Sequence, residues 1–409
     1  MSIIGPLTVL DMGQNISGPL ATTLLAALGA RVIKLETPGR GDGSRIGPPY
    51  AGQEGVTFQP GTEAGMALSF LKRNRNKEAI TVDLRSPEGK ELFIRLVHHA
   101  DVLVENFKPG TLDRMGFPFA RLQEINSRLI VCSVSGFGLS GRYRDWLAYD
   151  TVIQAMSGLM YHTGYPDRPP VKSALTVADS VGALYATIGI LAALQHRQLT
   201  GRGQLVEVPM LDCLLSLVWD EPWDYYERTG MEPRSGNRLS RCTPWNVYPA
   251  SDGHVFLCAL TDEQWRRLAE AIAPDLADRY PDMATRIEHN AEIDAAIAGW
   301  TQVRSKTEIP CYLQARGVPC APVLTATEVA NDSHVQERQM LRPVPHPDLD
   351  EVPDALVWQF PLRFSASPPV PLSRPAPRLG QDNAEVLRQL GTRPGEGPGN
   401  SESRCSRGG

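Results

Sequence analysis

Short apolar runs alternate with stretches of helical spacing through the first third of the chain. Leu7–Met12, Arg31–Glu36, Ala79–Leu84, Asp101–Glu105 and Leu129–Val134 are rich in Val, Ile and Leu, and each predicts a buried strand. Between them, Leu20–Leu28 is apolar, with Pro19 near its start and Gly29 at its stop, which predicts a helix. Pro87–His99 carries Leu92, Ile94, Leu96 and Val97 on one helical face. Strands spaced by helices imply βαβ units, so the expected class is α/β, with a doubly wound, largely parallel, Rossmann-like sheet.

The pattern then changes. Residues 180–198 predict a long, mostly apolar helix, and Leu205–Val208 a strand after the turn Thr200–Gln204. Val247–Tyr248–Pro249 and His254–Cys258 flank Asp252–Gly253 and read as a hairpin. Helical spacing follows at 262–273, 291–300 and 307–316. Residues 340–378 contain Pro343, Pro345, Pro347, Pro353, Pro361, Pro368, Pro369, Pro371, Pro375 and Pro377, which predicts extended chain, since proline lacks a donor and blocks helix. The expected layout is a large domain at 1–204 completed by 379–391, a linker at 205–224, a smaller α+β domain at 225–330, an extended Pro-rich return at 331–378 and a disordered tail at 392–409.

Composition narrows the chemistry. The 409 residues carry a formal net charge of −5, which argues against a nucleic-acid partner. Charge or Gly and Thr interrupt the apolar runs, so no membrane span is expected, and the start lacks the basic region of a signal peptide. The 7 cysteines form no C-x-x-C pair, and the one adjacent histidine pair, His98–His99, ends an amphipathic helix; reduced thiols, no metal and a cytoplasmic location are expected.

Several loops carry candidate chemistry. The segment between the first strand and helix, Gly13-Gln14-Asn15-Ile16-Ser17-Gly18, sits where a dinucleotide fold holds pyrophosphate, with Glu36 closing the second strand at a ribose position. It lacks G-x-G-x-x-G, which speaks against a nicotinamide cofactor. Pro38–Arg45 mixes glycines with arginines, a surface loop or an anion cradle. Lys72–Lys77 holds four cations in six residues, a solvated turn or a phosphate clamp. Glu105–Gly110 and Ser133–Gly138 leave strand ends, where open α/β sheets bind ligands. The second lacks the first glycine of G-x-S-x-G, so a serine hydrolase is not indicated. Asp179 ends an apolar run and opens the long helix. It reads as an N-cap, and equally as a carboxylate kept ionised by helix amides and dipole while water is excluded, competent to attack an acyl carbonyl.

Taken in order, these segments resemble the class III CoA-transferases, the formyl-CoA transferase and carnitine dehydratase type. The marks are Leu10-Asp11, Ser17-Gly18-Pro19, Gly29–Glu36, Asn74–Lys77, Val104–Gly110, Leu112–Gly116, Gly189–Leu194, Thr200–Gln204, Gly317–Cys320 with Pro322, and Ala376–Gly380. The resemblance implies CoA-transferase activity with Asp179 as nucleophile, through an aspartyl–acyl anhydride and an aspartyl-CoA thioester. It implies no permanently bound cofactor, with coenzyme A or acyl-CoA as substrate and a carboxylic acid as the other partner. It places CoA against Ile16, Ser17, Arg73, Asn74, Arg75, Asn76, Asn106, Phe107, Lys108, Arg114, Ser135, Gly136 and Phe137, and implies an interlocked homodimer. Ile16 stands where some relatives have Gln, Thr37 where they have Arg, and Ser235–Arg238 where formyl-CoA transferases carry a glycine run, which points to an acid larger than oxalate or formate. A related activity, 2-methylacyl-CoA racemisation, uses a Gly-His-Asp segment. Here it reads Ala148-Tyr149-Asp150, and a tyrosine of pKa about 10 is a poor base at neutral pH. A non-catalytic CoA- or dinucleotide-binding protein is the third reading.

Overall fold

The computed structural model describes residues 3–59 and 66–391; the expected tail at 392–409 lies outside the described residues. The first strands in chain order are β1 (Thr8–Asp11), β2 (Arg31–Glu36), β3 (Tyr50–Gly52), β4 (Gly55–Thr57), β5 (Lys77–Thr81), β6 (Val102–Glu105), β7 (Ile130–Ser135) and β8 (Leu205–Pro209). Six of these form a parallel sheet in the order β5-β2-β1-β6-β7-β8. Val9 sits between Val32 and Val102 in register. Strand order therefore reverses at β1, and the loops after β1 and β6 part at the carboxyl edge to leave a crevice.

The apolar runs are buried on both faces. Leu10, Ile33, Leu103 and Val131 share a core with Leu92, Phe93, Leu96 and Val97 of the helix Pro87–His99. Burying each such side chain contributes about 1.5–3 kcal/mol. Ser86 caps that helix by accepting from Gly89 N, and Pro87 takes its first position. His98 and His99 are exposed at its end. On the other side of the sheet, the helix Ser17–Ala27 packs against the helix Val177–Thr200. The latter stops at Gly201, whose φ of 76° suits glycine. By length and composition it is long and apolar enough to cross a membrane, contrary to the interrupted-run expectation; half of its most apolar stretch is buried within the protein.

The chain divides into two compact units. Among the described residues, one holds 3–59, 66–157, 175–217 and 336–391, the other 158–174 and 218–335. Three features differ from the expected layout. Residues 205–217 are no linker: Leu205–Pro209 is an edge strand paired with β7, followed by the helix Met210–Val218. Residues 158–174 group with the smaller unit, where Gly236 N donates to Gly164 O (2.9 Å) and His162 stacks on Trp223 at 3.8 Å. The Pro-rich return is partly a hairpin. After β9 (Trp245–Ala250), β10 (Gly253–Cys258) and β11 (Cys320–Pro322), strands β12 (Leu341–His346) and β13 (Asp350–Trp358) pair antiparallel, with a register shift at Pro343/Val344. The reason is a buried face between the prolines: Val344, Val352, Ala355 and Val357 pack with Ala51, Leu68, Phe70 and Leu71.

The smaller unit is α+β. β11-β10-β9 form an antiparallel sheet whose Tyr248, Val255 and Leu257 pack with Trp265, Ile293, Ile297 and Ile309. In the larger unit, Asp382 and Asn383 accept from Ala79 N (2.7 Å) and Thr81 N (2.9 Å), which satisfies the free edge of β5.

Candidate active site

The loop after β1 is fixed from beneath by buried charges. Lys34 on β2 is fully buried, donates to Gly13 O (2.8 Å) and pairs with Asp42 (2.8 Å). Asp42 accepts from Asn15 N (2.9 Å), Ser44 N (2.8 Å) and the Ser44 hydroxyl (2.9 Å). Burial opposes the Asp42 charge, yet Lys34 and these amides hold its carboxyl down at about 2. Asp11 takes Lys77 (2.8 Å), Thr22 (2.8 Å) and Gly13 N (2.8 Å). A Cβ on Gly13 would lie 2.8 Å from Pro19 Cδ and 2.9 Å from Asp11, so only glycine allows this turn. Glu36, placed by the sequence at a ribose position, is occupied instead: both its oxygens pair with Arg45 (2.8 and 2.7 Å), and one also accepts from Asp42 N.

The loop after β6 locks onto this platform. Asn106 accepts from Gln14 N (2.7 Å) and donates to Gln14 O (2.8 Å) and Ser17 Oγ (3.0 Å). Glu105 beneath it accepts from Phe107 N (2.8 Å), and burial pushes its carboxyl up to about 7.

Asp179 faces the crevice from the first turn of the helix Val177–Thr200. It is not the cap of that helix. Asp150 is, accepting from Ala178 N (2.7 Å) and Asp179 N (3.3 Å) while Gln154 holds its other oxygen (2.6 Å). The sequence expectation that amides hold Asp179 ionised is corrected accordingly. Burial, then the Asp150 charge, raise its carboxyl to about 6, against a hydrogen bond from Ser17 and the charge of Arg73. The group is thus ionised at neutral pH, poorly solvated and basic for a carboxylate, as a nucleophile requires.

Asp179 lines a cavity of about 570 Å³. The sequence candidates Ile16, Ser17 and Arg73 line it, as do Asn106, Phe107 and Lys108 and the turn Ser135, Gly136 and Phe137. A Cβ on Gly136 would overlap Ala148, so this turn needs glycine to approach the 146–149 wall. Ile16 provides no side-chain cap to the helix Ser17–Ala27, so that helix brings its positive end to the wall.

Four candidates are directed elsewhere. Asn74 donates to Phe70 O (3.1 Å) and accepts from Lys77 (2.8 Å). Arg75 is fully buried and donates to Leu372 O (3.2 Å) and Trp358 O (2.9 Å). Asn76 donates to Pro371 O (2.7 Å) and accepts from Arg374 N (2.9 Å). The basic run leads from a helix into edge strand β5, so Arg75 and Asn76 turn to hold the returning chain while Asn74 stays bonded within the run. Arg114 donates to Thr111 (2.8 Å) at the surface, outside the cavity.

Other wall residues escaped the sequence reading. Ser44 lies in the Pro38–Arg45 loop, where glycine and arginine rather than serine drew the reading, and Ser69 sits in a segment with no local signal, whereas Arg144 and Trp146 belong to an Arg- and aromatic-rich stretch that could have drawn notice. No histidine lines this cavity, and Tyr149, at the racemase-type position, is 75 % exposed on its rim. A second cavity of about 700 Å³ shares Gln14, Asn15, Gly43 and Phe107 with the first and adds Arg40 and Arg85. Among the described residues no group of three or more His, Cys, Asp or Glu is arranged for a metal ion.

The profile of CoA-transferase family III matches residues 6–383. The chain is 38 % identical over 387 residues to a succinyl-CoA–D-citramalate CoA-transferase of Chloroflexus aurantiacus, covering 93 % of this chain and 92 % of that one. It is 36 % identical over 396 residues to a succinyl-CoA:mesaconate CoA-transferase of Haloarcula hispanica, covering 96 % and 97 %. A crystal structure of a CAIB/BAIF family protein from Brucella suis superposes with a TM-score of 0.82 at 32 % identity, covering 95 % of this chain and 99 % of that one. A doubly wound sheet of this kind, with such relatives, defines a transferase acting on acyl-CoA thioesters. The chain belongs to CoA-transferase family III and is an acyl-CoA:carboxylate CoA-transferase.

Proposed function

We propose that Asp179 carries the transfer as a covalent nucleophile. Its ionised carboxylate attacks the thioester carbonyl of the donor and expels CoA thiolate, leaving an aspartyl–acyl anhydride. The thiolate then attacks the aspartyl carbonyl, which releases the donor acid and forms an aspartyl-CoA thioester. The acceptor carboxylate attacks that thioester, and the returning thiolate takes the new acyl group, which regenerates Asp179. Each step exchanges one acyl bond for another of similar energy, so no ATP, metal or resident cofactor is called for. The observation that carries this reading is a half-buried carboxylate, tuned to about 6, on the wall of the switch-point cavity.

Two adjoining cavities, which share Gln14, Asn15, Gly43 and Phe107, suit the length of CoA. The thioester end belongs in the first, beside Asp179, with the uncapped helix end and Ser135–Phe137 lining its path. The nucleotide end belongs in the second, where Arg40 suits phosphate. The relatives' acids, citramalate and mesaconate, support an acceptor larger than formate. The racemase alternative lacks support, since the cavity holds no imidazole to move a proton.

The test is intact mass spectrometry of the protein with succinyl-CoA between pH 4 and 8. A mass gain of one CoA less one water, mapped to Asp179, is the expected result. Adduct formation should fall as pH drops through about 6, because protonation removes the nucleophile. An adduct elsewhere, or none alongside active exchange, removes Asp179 from the mechanism.

The long helix leaves Leu184, Tyr185 and Ile188 at 52 %, 38 % and 61 % exposure, an apolar stripe that supports self-association into the homodimer implied by the sequence. Light scattering should give the mass of two chains; a single-chain mass at micromolar concentration overturns that part.

A further inference from the structure

Three cations line the first cavity, Lys108, Arg144 and Arg73, and Arg73 is the one whose charge acts on Asp179. Arg73 ends the helix Leu68–Arg73, lines the cavity and is half-buried. Its guanidinium makes one hydrogen bond within the protein, to Ser69 O at 3.3 Å. No ion pair forms between it and Asp179, yet the two charges feel one another, as do Arg73 and Asp42. Asp42 is already matched by Lys34. Most of the donors of Arg73 therefore have no protein acceptor and open onto the cavity, where an anion can take them.

Position decides which anion. CoA is anionic at its phosphates, and the whole pantetheine arm separates these from the thioester. A cation within electrostatic range of the nucleophile stands at the acyl end. The phosphates have another cation, Arg40, in the adjoining cavity, where Arg85 already pairs with Asp83. The group that reaches Arg73 must then be part of the acid, at the end remote from the carboxyl that reacts with Asp179. Ser44 and Ser69, on the same wall, add hydroxyls able to donate to a carboxylate.

We propose that Arg73 receives the distal carboxylate of a short dicarboxylic acid, so that the enzyme selects dicarboxylates over monocarboxylates of equal length. This rests on the reading of Asp179 as the nucleophile. It also revises the role of Arg73, which the resemblance alone assigned to CoA. The same contact serves donor and acceptor in turn, because each diacid occupies the cavity in the same sense. A guanidinium is the right group here, since its planar fork meets a carboxylate in two parallel hydrogen bonds.

The experiment compares succinate, isotopically labelled, with butyrate as acceptors against one donor, succinyl-CoA, in wild type, Arg73→Leu and Arg73→Lys. Any change in the donor step or in the Asp179 titration affects both acceptors alike and cancels in their ratio. Wild type should prefer succinate by about 100-fold in kcat/KM, the scale of a hydrogen bond to a charged group. R73L should reduce that preference to within about 5-fold, chiefly through the KM of succinate, and R73K should restore part of it. Equal use of both acids by wild type, or an equal loss for both in R73L, overturns the inference while leaving the covalent mechanism intact. Failure of the mechanism itself would be seen separately, as exchange in wild type without any Asp179 adduct, and would remove the geometric premise for Arg73.

Discussion

Asp179→Asn should abolish CoA exchange, with kcat falling by at least about 10⁴-fold, the scale seen when a group that acts covalently is removed. An amide has nearly the volume of the carboxylate and can still accept from Ser17, so the cavity and CoA binding should survive. It cannot form an anhydride, so the CoA adduct disappears with activity. Residual exchange above one part in a hundred would show that another group forms the covalent bond. The same variant carries a stability signature. The folded protein raises this carboxyl from 3.8 to about 6, so between those pH values the native state holds a proton that the unfolded chain releases. Stability falls as pH rises through that window, and the ionised group remains a burden at pH 7. The asparagine variant should therefore be more stable at neutral pH, on the order of 1–2 kcal/mol after allowance for water in the cavity. The gain should vanish below pH 4. A lower denaturation midpoint for the variant at pH 7 would mean that the Asp179 charge is compensated by groups other than Ser17 and Arg73.

Lys34→Met should destabilise the fold by about 3–5 kcal/mol, because it leaves Asp42 buried without its partner and removes the donor to Gly13 O. The adjoining loop positions Asn15, Ile16 and Ser17, so the surviving folded enzyme should also lose affinity for CoA. Lys34→Met combined with Asp42→Asn should recover part of the stability, since the one buried anion left facing Lys34's place, Asp11, keeps Lys77 as its partner, although Asn15 and Ser44 would donate to a weaker acceptor. Denaturant unfolding at pH 7 measures both variants, and the contribution of Asp42 should fade as pH falls from 3.8 toward 2. A loss below about 1 kcal/mol for Lys34→Met would show that water reaches this cluster and solvates Asp42.

Much of the larger unit was legible in residue order. Runs such as Val32–Glu36 and Val102–Glu105 are buried strands, and a run without polar alternation is how parallel strands covered on both faces read. Switch-point loops follow from that order, so Ile16, Ser17, Asn106, Phe107 and Ser135–Phe137 were found on the cavity wall. The basic run was misread at Asn74, Arg75 and Asn76. A charge run looks the same in sequence whether it meets solvent or holds a returning chain, and the acceptors here, Leu372 O, Trp358 O and Pro371 O, come from nearly three hundred residues away. Likewise, the prolines at 343, 345 and 353 signalled extended chain, but the buried face that makes a hairpin exists only once Phe70 and Leu71 lie beneath it.

Local spacing along the chain was enough to determine the parallel sheet, the loops at its carboxyl edge and the presence of an acid opening the long helix, because these depend on periodicity and near neighbours. The tertiary structure alone decided that Asp150 rather than Asp179 caps that helix, that Glu36 is consumed by Arg45, and that Arg73 keeps a single hydrogen bond on the cavity wall it shares with Asp179. Those outcomes depend on which charges are desolvated together, and burial and charge proximity are properties of chain segments brought close in space rather than in order.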